Sequence, residues 1–166
     1  MKIHSRQLNE TDFKTMRKLL LKEGPNEWNY ITDESIDHQF QLINQGKAFA
    51  VIAEETSIVG FAVLIIKDAC PAKLSKYSVL LEVAYINDVV VASSQSGKGL
   101  GSKLLKESIK LAGNENCTYV YIERHEENLA SAGMMKKAGF ELVETFQDPK
   151  KRTTGSRNTS VLSICT

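Results

Sequence analysis

The chain has 166 residues, of which 42% are apolar and 25% charged, and 21 basic side chains against 20 acidic ones leave a net charge of +1. This is the size of a single domain, residues 1–166, with enough apolar residues for a packed core. The balanced charge excludes a protein that holds nucleic acid through a cationic surface, and the composition excludes a disordered chain.

The first half of the chain predicts an antiparallel hairpin preceded by two helices. Asn9 or Thr11 is expected to cap the first helix, and Gly24 followed by Pro25 ends it. The apolar runs 48–53 and 58–66 are separated by four polar residues, which is typical of two antiparallel strands. The predicted elements are a short strand near residues 2–8, helices from residue 9 or 11 to 24 and from about 32 to 45, and strands at 48–53 and 58–66.

The second half alternates strands and helices. The predicted elements are a long strand at 79–91, a helix at 101–112, a strand at 118–123, a helix at 128–138 and strands at 141–146 and 159–165. An antiparallel front half joined to strand–helix–strand units predicts an α+β fold. We expect a mixed, mostly antiparallel sheet of six or seven strands, flanked by about four helices. Residues 147–158 form a polar, basic loop.

The sequence carries no signal for a membrane, a disulfide framework or a metal. No run approaches the roughly 18 apolar residues of a membrane span, and residues 1–6 lack the apolar stretch of a signal peptide. We therefore expect a cytoplasmic protein with no membrane partner. Cys70, Cys117 and Cys165 are odd in number and widely spaced, which predicts free thiols. The three histidines are equally scattered, so no metal site is expected.

The most informative segment follows the long apolar strand. Gly97, Gly99 and Gly101 stand at alternate positions where an amphipathic helix begins. Glycines let the backbone turn tightly and bring several N–H groups to one point, at the positive end of the helix dipole. Lys98 and Lys103 add positive charge. This pattern predicts an anion site suited to a pyrophosphate.

Three simpler interpretations of the glycines compete. A Walker loop needs Gly-Lys-Ser/Thr, whereas Ser102-Lys103 has the reverse order. A dinucleotide-binding fingerprint needs Gly or Ala where Ser102 or Leu104 stands, and only 43 residues follow Glu123, the acid that would hold the ribose. A glycine-rich turn without a ligand is the third, and three alternating glycines are costly without a reason.

The segment resembles the acetyl-CoA motif of the GNAT superfamily of N-acetyltransferases, Arg/Gln-x-x-Gly-x-Gly/Ala. Gly99 and Gly101 match its glycines, and Ser96 stands where Arg or Gln is usual. Residues 128–140 are similar to a second family motif. Asn128, Ser131 and the closing Gly139-Phe140 pair match it, and Met135 occupies a position where Tyr is frequent.

The resemblance implies a GNAT-like acyl-CoA N-acyltransferase fold and acetyl-CoA as the acyl donor. It implies that the fourth strand splays from the fifth and that the pantetheine chain lies in the gap. The cofactor-binding residues it implies are Val89, Val90, Val91, Ser96, Gly97, Lys98, Gly99, Leu100, Gly101, Ser102 and Asn128. The implied reaction is direct attack of a primary amine, in a small molecule, a peptide N-terminus or a lysine, on the thioester in a ternary complex. The resemblance also allows a homodimer.

The catalytic residues are less well defined by the resemblance. The family commonly places a Glu on the fourth strand to accept the amine's proton, but the aligned residue is Asn87, which cannot act as a base. Asp88 is the candidate base; the alternatives are a structural role for Asp88, and Glu82 or Glu123 as the base. With Met135 in place of Tyr, the leaving thiolate is protonated by water or by a second tyrosine. Tyr85 and Tyr121 are the candidates.

The acceptor is the least defined part of the site. Acidic residues near it would favour a cationic amine, or they form a solvated surface; they are Asp33, Glu34, Glu82, Asp88, Glu123, Glu126 and Glu127. Trp28 and Tyr30 lie where acceptor sites are shaped in this family, as a substrate wall or as part of the core. Because Asn87 and Met135 depart from the family pattern, an acyl-CoA-binding sensor or regulatory module without catalysis is the alternative function.

Overall fold

The computed structural model describes residues 1–166, and its seven strands form one sheet. The strands are β1 (Lys2–Ser5), β2 (Ala48–Glu54), β3 (Ile58–Ile66), β4 (Val83–Val91), β5 (Tyr119–His125), β6 (Glu141–Gln147) and β7 (Asn158–Cys165). The helices are α1 (Glu10–Glu23), α2 (Asp33–Asn44), α3 (Leu100–Asn114) and α4 (Leu129–Ala138).

The strands are ordered β1-β2-β3-β4-β5-β7-β6 across the sheet. Only β4 and β5 are parallel, and all other neighbours are antiparallel. Helices cover both faces, so there are two apolar layers. One layer packs α1 and α2 on the sheet around Met16 and Phe40, and the other packs α3 and α4 around Leu104 and Met135. The predicted α+β class, strand number and helix number are confirmed.

Local sequence signals set the helix boundaries. Asn9 caps α1, because its side chain accepts from the N–H of Asp12 while the Asp12 carboxylate accepts from the N–H of Asn9. Of the two predicted caps, Asn9 is therefore the one used. Thr32 and Ser35 form the same reciprocal pair at the start of α2.

The largest difference from the predicted elements lies before β4. The sequence predicts a strand from Val79, but residues 80–82 form a short 3-10 turn and β4 begins at Val83. Val79 and Leu81 are 66% and 63% exposed. An apolar run predicts a strand only when the sheet buries it, and this stretch lies outside the sheet. The other boundaries shift by a few residues, as helix and strand ends commonly do.

No helix is both long and apolar enough to cross a membrane. All three cysteines are free thiols, as predicted, with Cys70 and Cys117 buried and Cys165 exposed.

A β-bulge interrupts β4 at Asn87. On the β3 side, Val63 pairs with Asp88 and Leu64 pairs with Ile86, which leaves Asn87 as the extra residue. A bulge bends its strand and changes the direction of the residues that follow it. Here the residues that follow are Asp88 and the three valines.

The bulge coincides with the separation of β4 from β5. Their parallel pairing runs from Val83 and Tyr119 to Ile86 and Ile122 and then stops, although β5 continues to His125. Beyond this point β4 keeps its partner only on the β3 side. The sheet therefore opens beside Asp88 and the valines, and the expected splay of the fourth and fifth strands is present.

Candidate active site

The opening between β4 and β5 widens into a continuous groove, here called the transfer cleft. Its centre is lined by the α1–α2 loop, the residues just after the bulge, the end of β5 and one face of α4. The α4 side, of about 210 Å³, is lined by Val89–Val91, Asn128 and Ser131, among others. The loop side, of about 190 Å³, is lined by Asn29, Tyr30, Ile31, Ser35, Tyr85, Asn87, Asp88, Glu123, Lys151 and Arg152.

The glycine segment forms a tight turn at the start of α3. Gly97 and Gly99 have φ values of +78° and +71°, which side-chain-bearing residues rarely adopt. The first hydrogen bond of α3 runs from the Lys103 N–H to the Gly99 carbonyl at 3.2 Å, and no side chain caps the helix. The N–H groups of residues 100–102 therefore lack helical acceptors and are available to an anion.

The remaining residues of this turn have separate roles. Ser96, Gly97 and Lys98 are exposed, whereas Leu100 is buried in the core beneath α3. A Cβ at Gly101 would collide with the Met134 sulfur, so this glycine lets α3 and α4 approach closely. The Ser102 hydroxyl donates to the Met134 carbonyl at 3.3 Å and strengthens the same contact.

The main chain of β4 faces the opening. The Ala92 N–H donates to the Val59 carbonyl on β3 at 2.8 Å. Successive N–H groups of a strand point to opposite edges, so those of Val91 and Val89 point away from β3 and into the cleft. Asn128 lies across the cleft, where its Oδ1 accepts from the Ser131 N–H at 3.2 Å and caps α4. Its Nδ2 donates no hydrogen bond within the protein.

Asp88 lies at the junction of the centre and the loop side of the cleft. Burial raises the pKa of its carboxyl to about 6, although a hydrogen bond from Gln39 and the charge of Lys151 act in the opposite direction. The Gln39 amide, buried on α2, donates to Asp88 Oδ2 at 2.6 Å. A partly protonated carboxylate near neutral pH suits proton transfer.

Glu123, the alternative base, also lines the cleft but is paired. Its carboxylate accepts from Lys73 Nζ at 2.6 Å, from Lys151 Nζ at 3.3 Å and from the Tyr85 hydroxyl at 3.3 Å. Burial alone would raise the pKa of Glu123, but the two lysines outweigh it and hold that pKa below its usual range. Glu123 is therefore a fixed anion and a weak base.

Two other candidates lie elsewhere. Glu82 is exposed in the turn before β4, at the opposite end of the strand from Asp88. The Tyr121 hydroxyl bonds to Ser78 at 2.7 Å, and its ring stacks on Tyr77 in the α1–α2 core. Neither residue lines the transfer cleft.

The structure separates the two aromatic residues of the α1–α2 loop. Tyr30 is 86% exposed at the mouth of the loop side. Trp28 packs on His125, with ring centroids 4.8 Å apart. Tyr30 thus has the position of a substrate wall, and Trp28 that of a packing residue.

The cleft lacks the negative character that the sequence suggested. Of the seven acidic residues considered, only Asp88 and Glu123 line it. Asp33 is bound to Arg17, and Glu126 accepts from Asn158. Lys151 and Arg152, from the loop between β6 and β7, line the same part of the cleft as Asp88.

Sequence reasoning missed Gln39, Lys151 and Arg152. The basic character of the β6–β7 loop was visible, but nothing local shows that this loop folds over the end of β4. Gln39 is 49 residues from Asp88 in sequence, and no motif links the two. No cluster of three His, Cys, Asp or Glu side chains in the structure could hold a metal ion.

The sequence matches the acetyltransferase (GNAT) family from residue 13 to residue 140, which is more than half of the chain. The chain belongs to the GNAT family. The match extends from α1 to the end of α4 and so includes the glycine turn and the β4–β5 opening. The resemblance carried by the two motifs is confirmed. None of the curated proteins matches the sequence significantly.

Solved structures share the GNAT fold over nearly the whole chain. A ribosomal-protein-alanine N-acetyltransferase from Brucella melitensis is 20% identical, with a TM-score of 0.76 and 100% of both chains covered. The aminoglycoside acetyltransferase AAC(6')-Ib, in complex with paromomycin and acetyl-CoA, is 21% identical, with a TM-score of 0.75 and coverage of 99% of this chain and 94% of that one. A Bacillus subtilis acetyltransferase in complex with CoA is 18% identical, with a TM-score of 0.70 and 99% of both chains covered. At these identities the likeness establishes the fold.

Proposed function

We propose that this GNAT protein transfers the acetyl group of acetyl-CoA to a primary amine by direct attack within a ternary complex. The observation that carries the proposal is the position of Asp88. Asp88 follows the bulge, beside the β4 main chain, in the groove that joins the α4 side to the loop side. A group that removes a proton there is in reach of a nucleophile approaching from the loop side.

The α4 side and the glycine turn fit an acyl-CoA. The N–H groups from Gly97 to Ser102 would hold the pyrophosphate, because the positive φ values of two glycines bring the main chain around an uncapped helix end. The valine main chain and Asn128 Nδ2 would hold the pantetheine amides along the splayed strand. Solved structures of similar fold hold CoA or acetyl-CoA.

The Val89 N–H is the donor best placed to bind the thioester oxygen. It points into the opening at the residue after Asp88, where β5 no longer covers the strand. An N–H group fixed in a strand costs no reorganisation when negative charge develops on that oxygen. Because the contact uses the main chain, the Val89 side chain can pack against the core at the same time.

Asp88 supplies the proton acceptor that the amine requires. An amine with a pKa of about 10.4 is neutral in about one molecule in 2,500 at pH 7, which costs about 4.6 kcal/mol. A carboxylate with a pKa near 6 is mostly ionised at pH 7 and is a stronger base than an ordinary Asp. Asp88 therefore takes a proton from the ammonium group before the neutral amine attacks, and the second nitrogen proton passes to solvent as the tetrahedral intermediate collapses.

The leaving thiolate needs no dedicated acid in this scheme. Met135 lines the cleft where an acid would stand and cannot donate a proton. Burial raises the pKa of Tyr85 well above its usual value, so transfer of its proton to a thiolate, whose own pKa is about 8.5, is unfavourable. We assign Tyr85 to positioning Glu123 and solvent to protonating the thiolate.

Release of free CoA tests the proposal. The protein is incubated with acetyl-CoA and a panel of primary amines, and acetyl-CoA binding is measured in parallel by calorimetry. Amine-dependent CoA release above the rate of thioester hydrolysis is expected. Tight binding of acetyl-CoA with no release for any amine would contradict the proposal and favour the sensor.

A further inference from the structure

Two cations, Lys151 and Arg152, line the loop side of the cleft together with two carboxylates, Asp88 and Glu123. Glu123 alone is in contact with two ammonium groups, those of Lys73 and Lys151. Arg152 lines the same cavity and forms no ion pair. The two lysines therefore already pair with Glu123, whereas Arg152 has no carboxylate in direct contact and Asp88 is bound by the neutral Gln39 amide.

Arg152 is the residue that most needs an explanation. It is only 5% exposed, and its partners are neutral: Nε donates to the Thr159 hydroxyl at 2.9 Å, and Nη1 lies 3.5 Å from the Trp28 carbonyl. Burial lowers the pKa of the Arg152 guanidinium, and the charges of Glu123 and Asp148, neither of which it contacts, offset that cost only in part. Proteins tolerate that cost where a ligand supplies the anion.

Geometry assigns the missing anion to the acceptor substrate. The glycine turn, which would take the phosphates of acetyl-CoA, lines no part of the loop side, whereas Asp88 and Arg152 line the same cavity. A molecule in this cavity therefore meets a proton acceptor and two cations.

We propose that Arg152 and Lys151 bind a carboxylate of the acceptor, so that the acceptor is an amine of the amino-acid class. This inference rests on the proposed acetyl transfer and specifies its substrate. The amine lies at Asp88 and loses its proton there, while the carboxylate accepts from the guanidinium fork and from Lys151 Nζ. The cavity of about 190 Å³ suits a small molecule, and the cations oppose a polycationic acceptor.

Matched pairs of acceptors test the inference in the wild-type protein. Free amino acids are compared with their carboxamides, and with the amines obtained by removing the carboxylate, at a fixed saturating acetyl-CoA concentration. We expect CoA release to be at least tenfold more efficient, in kcat/KM, for the best amino acid than for its carboxamide.

Variants of Lys151 and Arg152 test whether these two residues bind the carboxylate. Lys151→Gln leaves Glu123 paired with Lys73, so the fold should persist. It is expected to raise KM for the amino acid about tenfold relative to KM for the carboxamide, which has no carboxylate to lose a contact. Arg152→Lys keeps the charge but loses the planar fork, and it should give a smaller loss than Arg152→Gln. Lys150→Gln, in the same loop but outside the cleft, is the matched control and should behave as the wild type.

The outcomes distinguish failure of the carboxylate site from failure of the proposed acetyl transfer. Efficient acetylation of carboxamides or plain amines with no preference for the amino acid, or equal loss for both in Lys151→Gln, would overturn the carboxylate site and leave the acetyl transfer intact. Bound acetyl-CoA with no CoA release for any amine would overturn both.

Discussion

The two sides of the transfer cleft are built by different means. On the α4 side, a glycine turn and one strand offer main-chain N–H groups, and the residues that matter are adjacent in sequence. On the loop side, the polar side chains come from the α1–α2 loop, α2, β4, β5 and the β6–β7 loop. Main-chain recognition leaves a local pattern of glycines, whereas side-chain recognition assembled by tertiary contacts leaves none. We therefore expect the α4 side to be shared with other members of the family and the loop side to differ among them.

The largest expected effect is that of Asp88→Asn, which should impair catalysis without affecting the α4 side. It should lower turnover by about 100-fold or more, the usual size of a general-base contribution, with acetyl-CoA affinity unchanged. Since burial raises the pKa of Asp88 to about 6, its ionised form is less favourable in the folded than in the unfolded protein above that pH. The melting temperature at pH 7 should therefore hold or rise.

Turnover, affinity and melting temperature are measured on the same preparation, with exposed Asp68→Asn as the control. A purely structural Asp88 would instead cost about 1–3 kcal/mol of stability through its unsatisfied partner. Wild-type turnover in a folded Asp88→Asn protein would exclude the residue as the base.

A second test changes the glycine turn on the α4 side and measures acetyl-CoA binding. Gly99→Val should weaken acetyl-CoA binding by tenfold or more, because a β-branched residue at φ +71° strains the turn by roughly 1–3 kcal/mol and shifts the N–H groups. Gly46→Val is a matched control, since Gly46 has φ +73°, open space around it and a place outside the cleft. Calorimetry should show a loss for Gly99→Val only. Equal affinities in the two variants would remove the glycine turn from the site.

A smaller effect is expected for Gln39, the α2 residue whose amide donates a hydrogen bond to Asp88. Gln39→Leu removes the hydrogen bond that lowers the pKa of Asp88, so the acid limb of the pH–rate profile should move up by about one pH unit. Stability at pH 7 should fall by about 1 kcal/mol, because a higher folded-state pKa disfavours the ionised Asp88, and removal of the partnerless Gln39 Oε1 offsets part of that loss. Gln41→Leu, on the exposed face of α2, is the control. An acid limb that stays in place would show that Gln39 only packs.

The smallest kinetic effect is expected at Met135, which lies between the two sides. Met135 is 3% exposed among the residues under α3 and α4, so Met135→Tyr should overpack this core and cost about 1–3 kcal/mol of stability. Turnover should not rise, because the thiolate leaves without an acid. Thermal melts and rates, with Met135→Leu as the volume-conserving control, check both expectations. A gain in turnover would show that protonation of the thiolate limits the reaction.

The sequence predicts the fold better than it predicts the residues of the acceptor site. Asn9, the glycines and the alternating apolar runs determine structure only within a few residues of their own positions. The helices, most of the strands and the glycine turn are therefore found close to where they were expected. The prediction of a strand from Val79 was wrong because exposed and buried apolar residues cannot be distinguished in sequence. Gln39 and Arg152 were missed because their roles depend on which distant elements pack against β4. The direction of the Asp88 pKa shift was predictable, since an apolar strand surrounds it.

The pH dependence of CoA release tests the central claim most directly. At saturating acetyl-CoA, the rate at low acceptor concentration (kcat/KM), which reports the protein before the acceptor binds, is measured from pH 5 to pH 8 beside the residual rate of Asp88→Asn. The account predicts a wild-type rate that falls as the pH drops through about 6, where the folded-state pKa of Asp88 lies, and an Asp88→Asn profile without that limb. A limb near pH 6 that persists in Asp88→Asn, or its absence from the wild type, would contradict it.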